Sequence, residues 1–133
     1  MMLLPTFIYA QKATGSCNLP GSSSYVKVGY YDDGHLAVSN QSSIPLAEIH
    51  VKVICTASWK ERQDGTDSRT GNPISRWVEK SKEITLCDQD YYNIPTLQTI
   101  SITDGVQKPN VGKNGATYSN FRVSVGNLIC KKE

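Results

Sequence analysis

The amino-acid sequence predicts an all-β protein, an antiparallel sandwich of two sheets and about seven strands that is held by disulfides. From Tyr25 onward, apolar and polar residues alternate, and this period of two residues is typical of strands with one buried face. Turn-forming Asp, Asn, Gly and Pro residues separate the alternating stretches. Because parallel strands need long crossover connections, which are usually helices, an antiparallel arrangement is expected. Four cysteines in or beside these stretches indicate disulfides.

The first two strands are predicted at 25–30 and 35–40. In the first, Val26, Val28 and Tyr30 share one face, and the Asp-Asp-Gly sequence that follows favours a tight turn into a hairpin. The loop after the second strand contains a proline, which cannot donate a hydrogen bond to a central ladder. It begins with Asn-Gln-Ser, an N-glycosylation sequon that has meaning only in a eukaryotic secretory pathway.

The clearest strand is predicted at 47–60, where Val53 lies on an apolar face and Lys52 on a polar one. The polar residues at 61–73 show no periodicity and predict a long loop, which in a small sandwich is often functional or mobile. The following strand is expected within 74–87. A bulge near Lys80 would reconcile the opposite parity of the apolar residues on its two sides.

The last third of the chain predicts a loop at 88–95, a strand at 97–103 and a final strand at 118–130. In the final strand, Leu128 and Cys130 have the opposite parity to the preceding apolar residues. A bulge at Gly126 and Asn127 is therefore expected, because it would keep the whole apolar set inside.

Residues 1–10 form a short apolar run of the length found in the hydrophobic region of a signal peptide. The run is too short to span a bilayer as a helix, so no transmembrane segment is predicted. We interpret it as a partial secretion signal, which makes 11–133 a single sandwich domain of a secreted or cell-surface protein. A buried first strand and a lipidated Cys17 are the alternatives.

The charge pattern argues against nucleic acid as a partner. The chain has 14 basic and 12 acidic residues, a formal net charge of +2. The basic residues are scattered among acidic ones rather than gathered into a stripe, whereas nucleic-acid binding needs a concentrated basic surface.

The four cysteines allow three disulfide pairings, between which the sequence cannot choose. We favour Cys55 with Cys87 and Cys17 with Cys130. A zinc site is the rival interpretation, but zinc sites use closely spaced cysteine pairs, and no two cysteines here lie within thirty residues of each other. No metal site and no cofactor are predicted.

One stretch carries a family resemblance. Residues 36–53 read LAVSNQSSIPLAEIHVKV, a strand, an Asn-x-Ser turn and an alternating strand. This stretch resembles the core of small bacterial extracellular immunoglobulin-like or fibronectin-like domains. The resemblance implies an immunoglobulin-like sandwich that serves display or binding, with no catalytic chemistry.

Two clusters place aromatic residues beside acids, as in sites where rings stack on sugars and carboxylates bind hydroxyl groups. We predict them as binding residues: Tyr30, Tyr31, Asp32, Asp33, Asp88, Asp90, Tyr91 and Tyr92. The simpler interpretation is that one tyrosine of each pair is core and the other ordinary surface. The two tryptophans, Trp59 and Trp77, are predicted to be core or core-edge residues.

The sequence predicts no enzyme. His35 lies near Asp33, the one local candidate for a hydrolytic pair, and a solvated turn histidine is the simpler explanation. We therefore predict a secreted or surface-displayed, non-catalytic module for binding, adhesion or structure. The alternatives are a small secreted inhibitor or effector that docks a protein through 61–73, and a carbohydrate-binding accessory domain. The ligand is thus a protein or a glycan, and self-assembly stays open.

Overall fold

The structure, a computed structural model, describes residues 11–130, and the predicted secretion signal at 1–10 lies outside them. The described chain forms seven strands: β1 (Gln11–Asn18), β2 (Tyr25–Tyr31), β3 (His35–Asn40), β4 (Leu46–Thr66), β5 (Pro73–Ile94), β6 (Thr99–Ile102) and β7 (Thr117–Cys130).

The strands form two antiparallel sheets, which confirms the predicted all-β, two-sheet architecture. Sheet A has the order β1-β2-β3-β6, and sheet B has the order β5-β4-β7. Constant-type immunoglobulin domains instead pair their first, second, fifth and fourth strands in one sheet. Between residues 11 and 130 there is no helix long and apolar enough to cross a membrane.

The core lies between the sheets and follows the predicted alternation. Odd-numbered residues of β4 between Ile49 and Ala57, and even-numbered residues of β2 and β3, point inward, because burial of one face fixes the register of each strand. Tyr30 of sheet A stacks on Phe121 of sheet B, with ring centroids 5.8 Å apart. The fully buried apolar side chains include Val26, Val28, Leu36, Val38, Leu46, Ile49, Val51 and Val53.

The gaps between the edges of the two sheets are covered differently on the two sides of the sandwich. On one side β1, a strand that the sequence did not predict, packs against β7, and Gly15 approaches the Val123 carbonyl so closely that a Cβ would clash with it. On the other side, residues 103–108 cover the gap between the sheets, and the Gln107 N–H donates to the Leu86 carbonyl at 2.9 Å.

The predicted long loop at 61–73 is wrong. β4 continues to Thr66 and β5 begins at Pro73, so these residues form the end of a long hairpin. Only 67–72 connect the strands, and Asp67 organises them: its carbonyl accepts from the Gly71 N–H at 2.7 Å, and its carboxylate accepts from the Arg69 N–H at 2.8 Å.

Pairing between β4 and β7 ends at Ser58, opposite Thr117, whereas pairing between β4 and β5 continues to the tip. The hairpin therefore extends past the sandwich as a two-stranded element, made of residues 60–66 and 73–79, which we call the arm.

The bulge in β5 lies at Leu86, between the Val53–Cys87 and Ile54–Thr85 pairs, and not near Lys80 as predicted. The predicted loop at 88–95 is also wrong as far as Ile94, because β5 stays paired with β4 to that residue. The bulge expected near Gly126 is confirmed by register shifts in the same part of the β4–β7 ladder.

The structure contains neither of the predicted disulfides, and all four cysteines are free thiols in it. Cys55 lies opposite Ile84, whereas Cys87 lies opposite Val53, so the two thiols are diagonal rather than facing. Cβ atoms of directly opposite residues lie about 4.5–5.5 Å apart and those of diagonal residues lie farther apart, whereas the Cβ atoms of a disulfide are separated by about 3.5–4.5 Å. The two cysteines of the other predicted disulfide lie in different sheets, Cys17 in β1 of sheet A and Cys130 in β7 of sheet B.

Candidate binding site

Two of the predicted binding tyrosines are structural. Tyr30 and Tyr91 are buried, and both hydroxyls donate to the segment that covers the gap between the sheets: Tyr30 to the Gln107 carbonyl at 2.6 Å, and Tyr91 to the Asp104 carbonyl at 2.7 Å. Burial is the main cause of the raised pKa of both phenols. Neither ring presents a face to a ligand.

The rest of the first predicted cluster is engaged within the protein. Tyr31 stacks on His35 with ring centroids 4.5 Å apart, and His35 Nδ1 lies 2.5 Å from an Asp33 carboxylate oxygen. Asp32 lies 3.7 Å from the Lys12 ammonium. These contacts tie the β2–β3 hairpin to β1, so the cluster has a local structural explanation.

The second predicted cluster lies on the solvent-facing side of β5 and β4, which we call the outer face of sheet B. Asp88, Asp90 and Tyr92 are exposed there, beside His50 of β4. His50 Nδ1 lies 2.6 Å from Asp90 and its Nε2 lies 2.6 Å from Asp88. The hydrogen bond to Asp90, followed by that to Asp88, raises the pKa of the imidazole against the opposing effect of burial.

This trio is an imidazolium clamp rather than a metal site. The two carboxylates contact different nitrogens of one ring, so the three groups do not converge on a common point. Within residues 11–130, no group of three or more His, Cys, Asp or Glu side chains has an arrangement that holds a metal ion. Both ring nitrogens are occupied, so His50 has no free lone pair for base catalysis in this geometry.

The residue that the sequence interpretation misplaced is Trp77. Its side chain is 69% exposed, although it was predicted as core or core-edge. In the unbroken register of the arm, Trp77 lies opposite Arg62 and Glu79 lies opposite Lys60, so all four belong to the outer face. In a regular strand Trp77 shares a face with the polar residues Glu79 and Ser81, which would have predicted an exposed ring. The bulge assumed near Lys80 hid this pattern.

Trp77 borders a cleft of about 530 Å³. The cleft opens where the arm leaves the sandwich and faces the turn before β7. Its lining combines the exposed Trp77 ring and the half-buried Trp59 ring with groups that can donate or accept hydrogen bonds. The lining residues are Ser58, Trp59, Lys60, Trp77, Glu79, Asn114, Gly115 and Thr117.

The turn that supplies Asn114 is fastened to the opposite side of the arm. Lys113 lies 3.1 Å from a Glu61 carboxylate oxygen and 6.0 Å from the centre of the Trp59 ring. The Trp59 indole N–H donates to the same Glu61 oxygen at 2.8 Å. The indole hydrogen bond, followed by that of Lys113, lowers the pKa of Glu61. The cleft is thus bounded by β4, by β5 and by the turn at Asn114 and Gly115, which is its third wall. Trp59, Glu61 and Lys113 hold that turn in place.

A cleft elsewhere on the molecule is less suited to a ligand. It measures about 300 Å³ and lies beside β1 and β7, where Lys12 and Asp32 form one of its walls. These two charges already pair with each other, at 3.7 Å. In the arm cleft, by contrast, Lys60 and Glu79 take part in none of the ion pairs formed within residues 11–130.

Comparison of the chain with protein-family models, with curated proteins and with solved structures found no match.

Proposed function

We propose that the protein is a non-catalytic binding module that recognises its ligand with the arm end of the outer face of sheet B. The exposed Trp77 beside a cleft of about 530 Å³ carries this proposal. A large ring left in solvent contributes little to the core, and exposed aromatic side chains in concave surfaces are typical of binding sites.

The composition of the cleft supports binding without catalysis. Glu79 is the single carboxylate in the lining, whereas glycoside hydrolysis uses a pair of carboxylates on either side of the reacting bond. The lining contains no histidine and no cysteine, the usual base and the strongest nucleophile of hydrolytic sites.

The secreted or cell-surface location belongs to the same proposal, and the apolar run at 1–10 supports it. The resemblance of residues 36–53 to small extracellular immunoglobulin-like domains also supports it. The two-sheet antiparallel architecture agrees with that resemblance, whereas the strand order does not. Use of the module in adhesion follows if the ligand belongs to another cell or to the matrix.

The proposal is tested by screening the biotin-labelled protein against a glycan array and a phage-displayed peptide library. The informative variant is Trp77→Ala, and the matched control is Tyr92→Ala, which removes an equally exposed ring from the far end of the same face. A ligand of either class whose binding is lost in the first variant and kept in the second supports the proposal. Silence from both libraries, or binding that survives Trp77→Ala, refutes it.

A further inference from the structure

The chemistry of the arm cleft narrows the class of ligand. A pyranose ring has an apolar face of C–H groups and a rim of hydroxyls, each of which can donate and accept a hydrogen bond. The cleft offers the matching set: the Trp77 ring, the Lys60 donor, the Glu79 acceptor and the Asn114 amide, which does both. Its volume of about 530 Å³ lies within the range of small-molecule sites.

We propose that the arm cleft binds a neutral glycan, with a pyranose stacked on Trp77 and its hydroxyls held by Lys60, Glu79 and Asn114. This inference rests on the proposed function and names its ligand class. Neutrality follows from the charges, because Lys60 and Glu79 lie opposite each other on adjacent strands and cancel. An acidic glycan or a phosphate group would meet the Glu79 carboxylate, and a cationic ligand would meet Lys60.

The arm is poorly built for a protein partner. Its two exposed large apolar side chains, Trp77 and Ile74, are an odd number of residues apart in a regular strand and therefore point to opposite faces. Cores of protein interfaces are contiguous apolar patches. One exposed ring beside separate polar groups instead suits a ligand that is itself half apolar and half hydroxylated.

Affinity electrophoresis in native gels tests the inference, with hydroxyethylcellulose, xylan, galactomannan, laminarin or soluble starch cast into the gel. Repeating polymers are chosen because many copies of one weak epitope raise the measured retardation. We expect at least one of these neutral polymers to retard the protein. We also expect the retardation to survive 0.5 M NaCl, because a neutral ligand adds no charge to be screened.

Variants of Trp77 separate the loss of ring stacking from a loss of protein stability. Trp77→Ala should weaken binding about 30-fold or more, the loss typical of a buried aromatic anchor, and Trp77→Phe should retain part of the affinity. Glycan binding should shift the tryptophan fluorescence to shorter wavelength, and Trp77→Phe should remove most of that shift. Unchanged thermal unfolding of Trp77→Ala is expected, since its ring is mostly in solvent.

The outcomes distinguish this inference from the proposed function. Binding of a peptide that depends on Trp77, without binding of any neutral polymer, would overturn the glycan while the arm stays the binding surface. Glycan binding that Trp77→Ala leaves intact would overturn both, since the site would then lie elsewhere.

Discussion

Asn40 is a polar residue with no exposed surface, and it joins two loops to the end of β3. Its side-chain N–H donates to the Ile44 carbonyl at 2.9 Å, and its side-chain oxygen accepts from the Ser42 hydroxyl at 2.7 Å. Its backbone carbonyl accepts from the Leu97 N–H at 2.9 Å. In the folded protein the amide nitrogen of the sequon is thus bonded and buried, which leaves no space for a glycan.

Replacing Asn40 tests how much this hub contributes. Asn40→Ala removes the buried side-chain hydrogen bonds and leaves the Ile44 carbonyl without that donor, so we expect the free energy of unfolding to fall by about 2–4 kcal/mol. The exposed Asn18 is the matched control, and Asn18→Ala should change it by less than about 0.5 kcal/mol. Urea unfolding of the three proteins gives the values. Equal effects of the two substitutions would contradict the role of Asn40.

The four thiols should differ in reactivity. Burial is the main cause of the raised pKa of Cys55 and Cys87, and the thiolate is the reactive form, so both should react with Ellman's reagent only when the protein unfolds. Cys17 and Cys130 are half-buried and should react earlier. In denaturant without reductant, four thiols should titrate. If only two thiols or none titrate in denaturant, the protein contains disulfides that are absent from the structure.

At the scale of elements, the pairing of β4 with β5 depends partly on the charge of His50. Its two carboxylate partners require both ring nitrogens to carry protons, so the contact is complete only in the imidazolium. On the same face, Lys52 lies opposite Asp88 and Glu48 lies opposite Tyr92, while β7 places the uncharged Gly126 opposite His50. Asp88 and Asp90 are therefore the charges in direct contact with the ring.

The sign of the pH dependence follows from the raised pKa. A folded pKa above the ordinary value of about 6.5 means that the stabilisation is complete below that pH and is lost as pH rises through the folded pKa. The stability difference between the wild type and His50→Gln should thus be largest near about pH 6 and shrink toward alkaline pH. Because the groups are partly exposed, 0.5 M NaCl should reduce it. A difference that grows with pH would mean that the neutral ring is the bonded form.

The apolar–polar alternation of the sequence predicted some strands and missed others. It correctly predicted β2, β3 and the inner part of β4, because burying one face forces apolar residues to every second position. The arm has no buried face, so its residues show no such period, and backbone pairing rather than burial holds it as strands. That is why 61–73 resembled a loop. None of the predicted binding residues lines the arm cleft, and Trp77 was predicted as a core or core-edge residue.

For the molecule as a whole, we expect the sandwich to supply stability and the arm to supply recognition. None of the buried apolar residues lies in 61–78, so the core is complete without the arm. The arm in turn contributes two walls of the cleft and, through Glu61, holds the turn that forms the third. Loss of the arm should therefore remove binding and leave folding largely intact.

Excision of the arm tests this division. Lys60 and Glu79 face each other, so residues 61–78 can be replaced by Asn-Gly, whose type I′ turn suits a two-residue hairpin loop. The excision removes the Glu61 hydrogen bond and ion pair, and we expect the free energy of unfolding to fall by less than about 2 kcal/mol. Circular dichroism and urea unfolding measure the fold, and gel retardation by the neutral polymer measures binding, which should be abolished.

A shorter excision is the matched control for this experiment. Asp64 and Ser75 also face each other, and replacing 65–74 by Asn-Gly removes the tip while keeping Trp77 and Glu61 in register. This protein should bind as the wild type does, because every residue that lines the arm cleft is still present. If the long excision unfolds the chain, the arm is part of the folding unit. If the short excision abolishes binding, the ligand contacts the tip and the cleft is not the whole site.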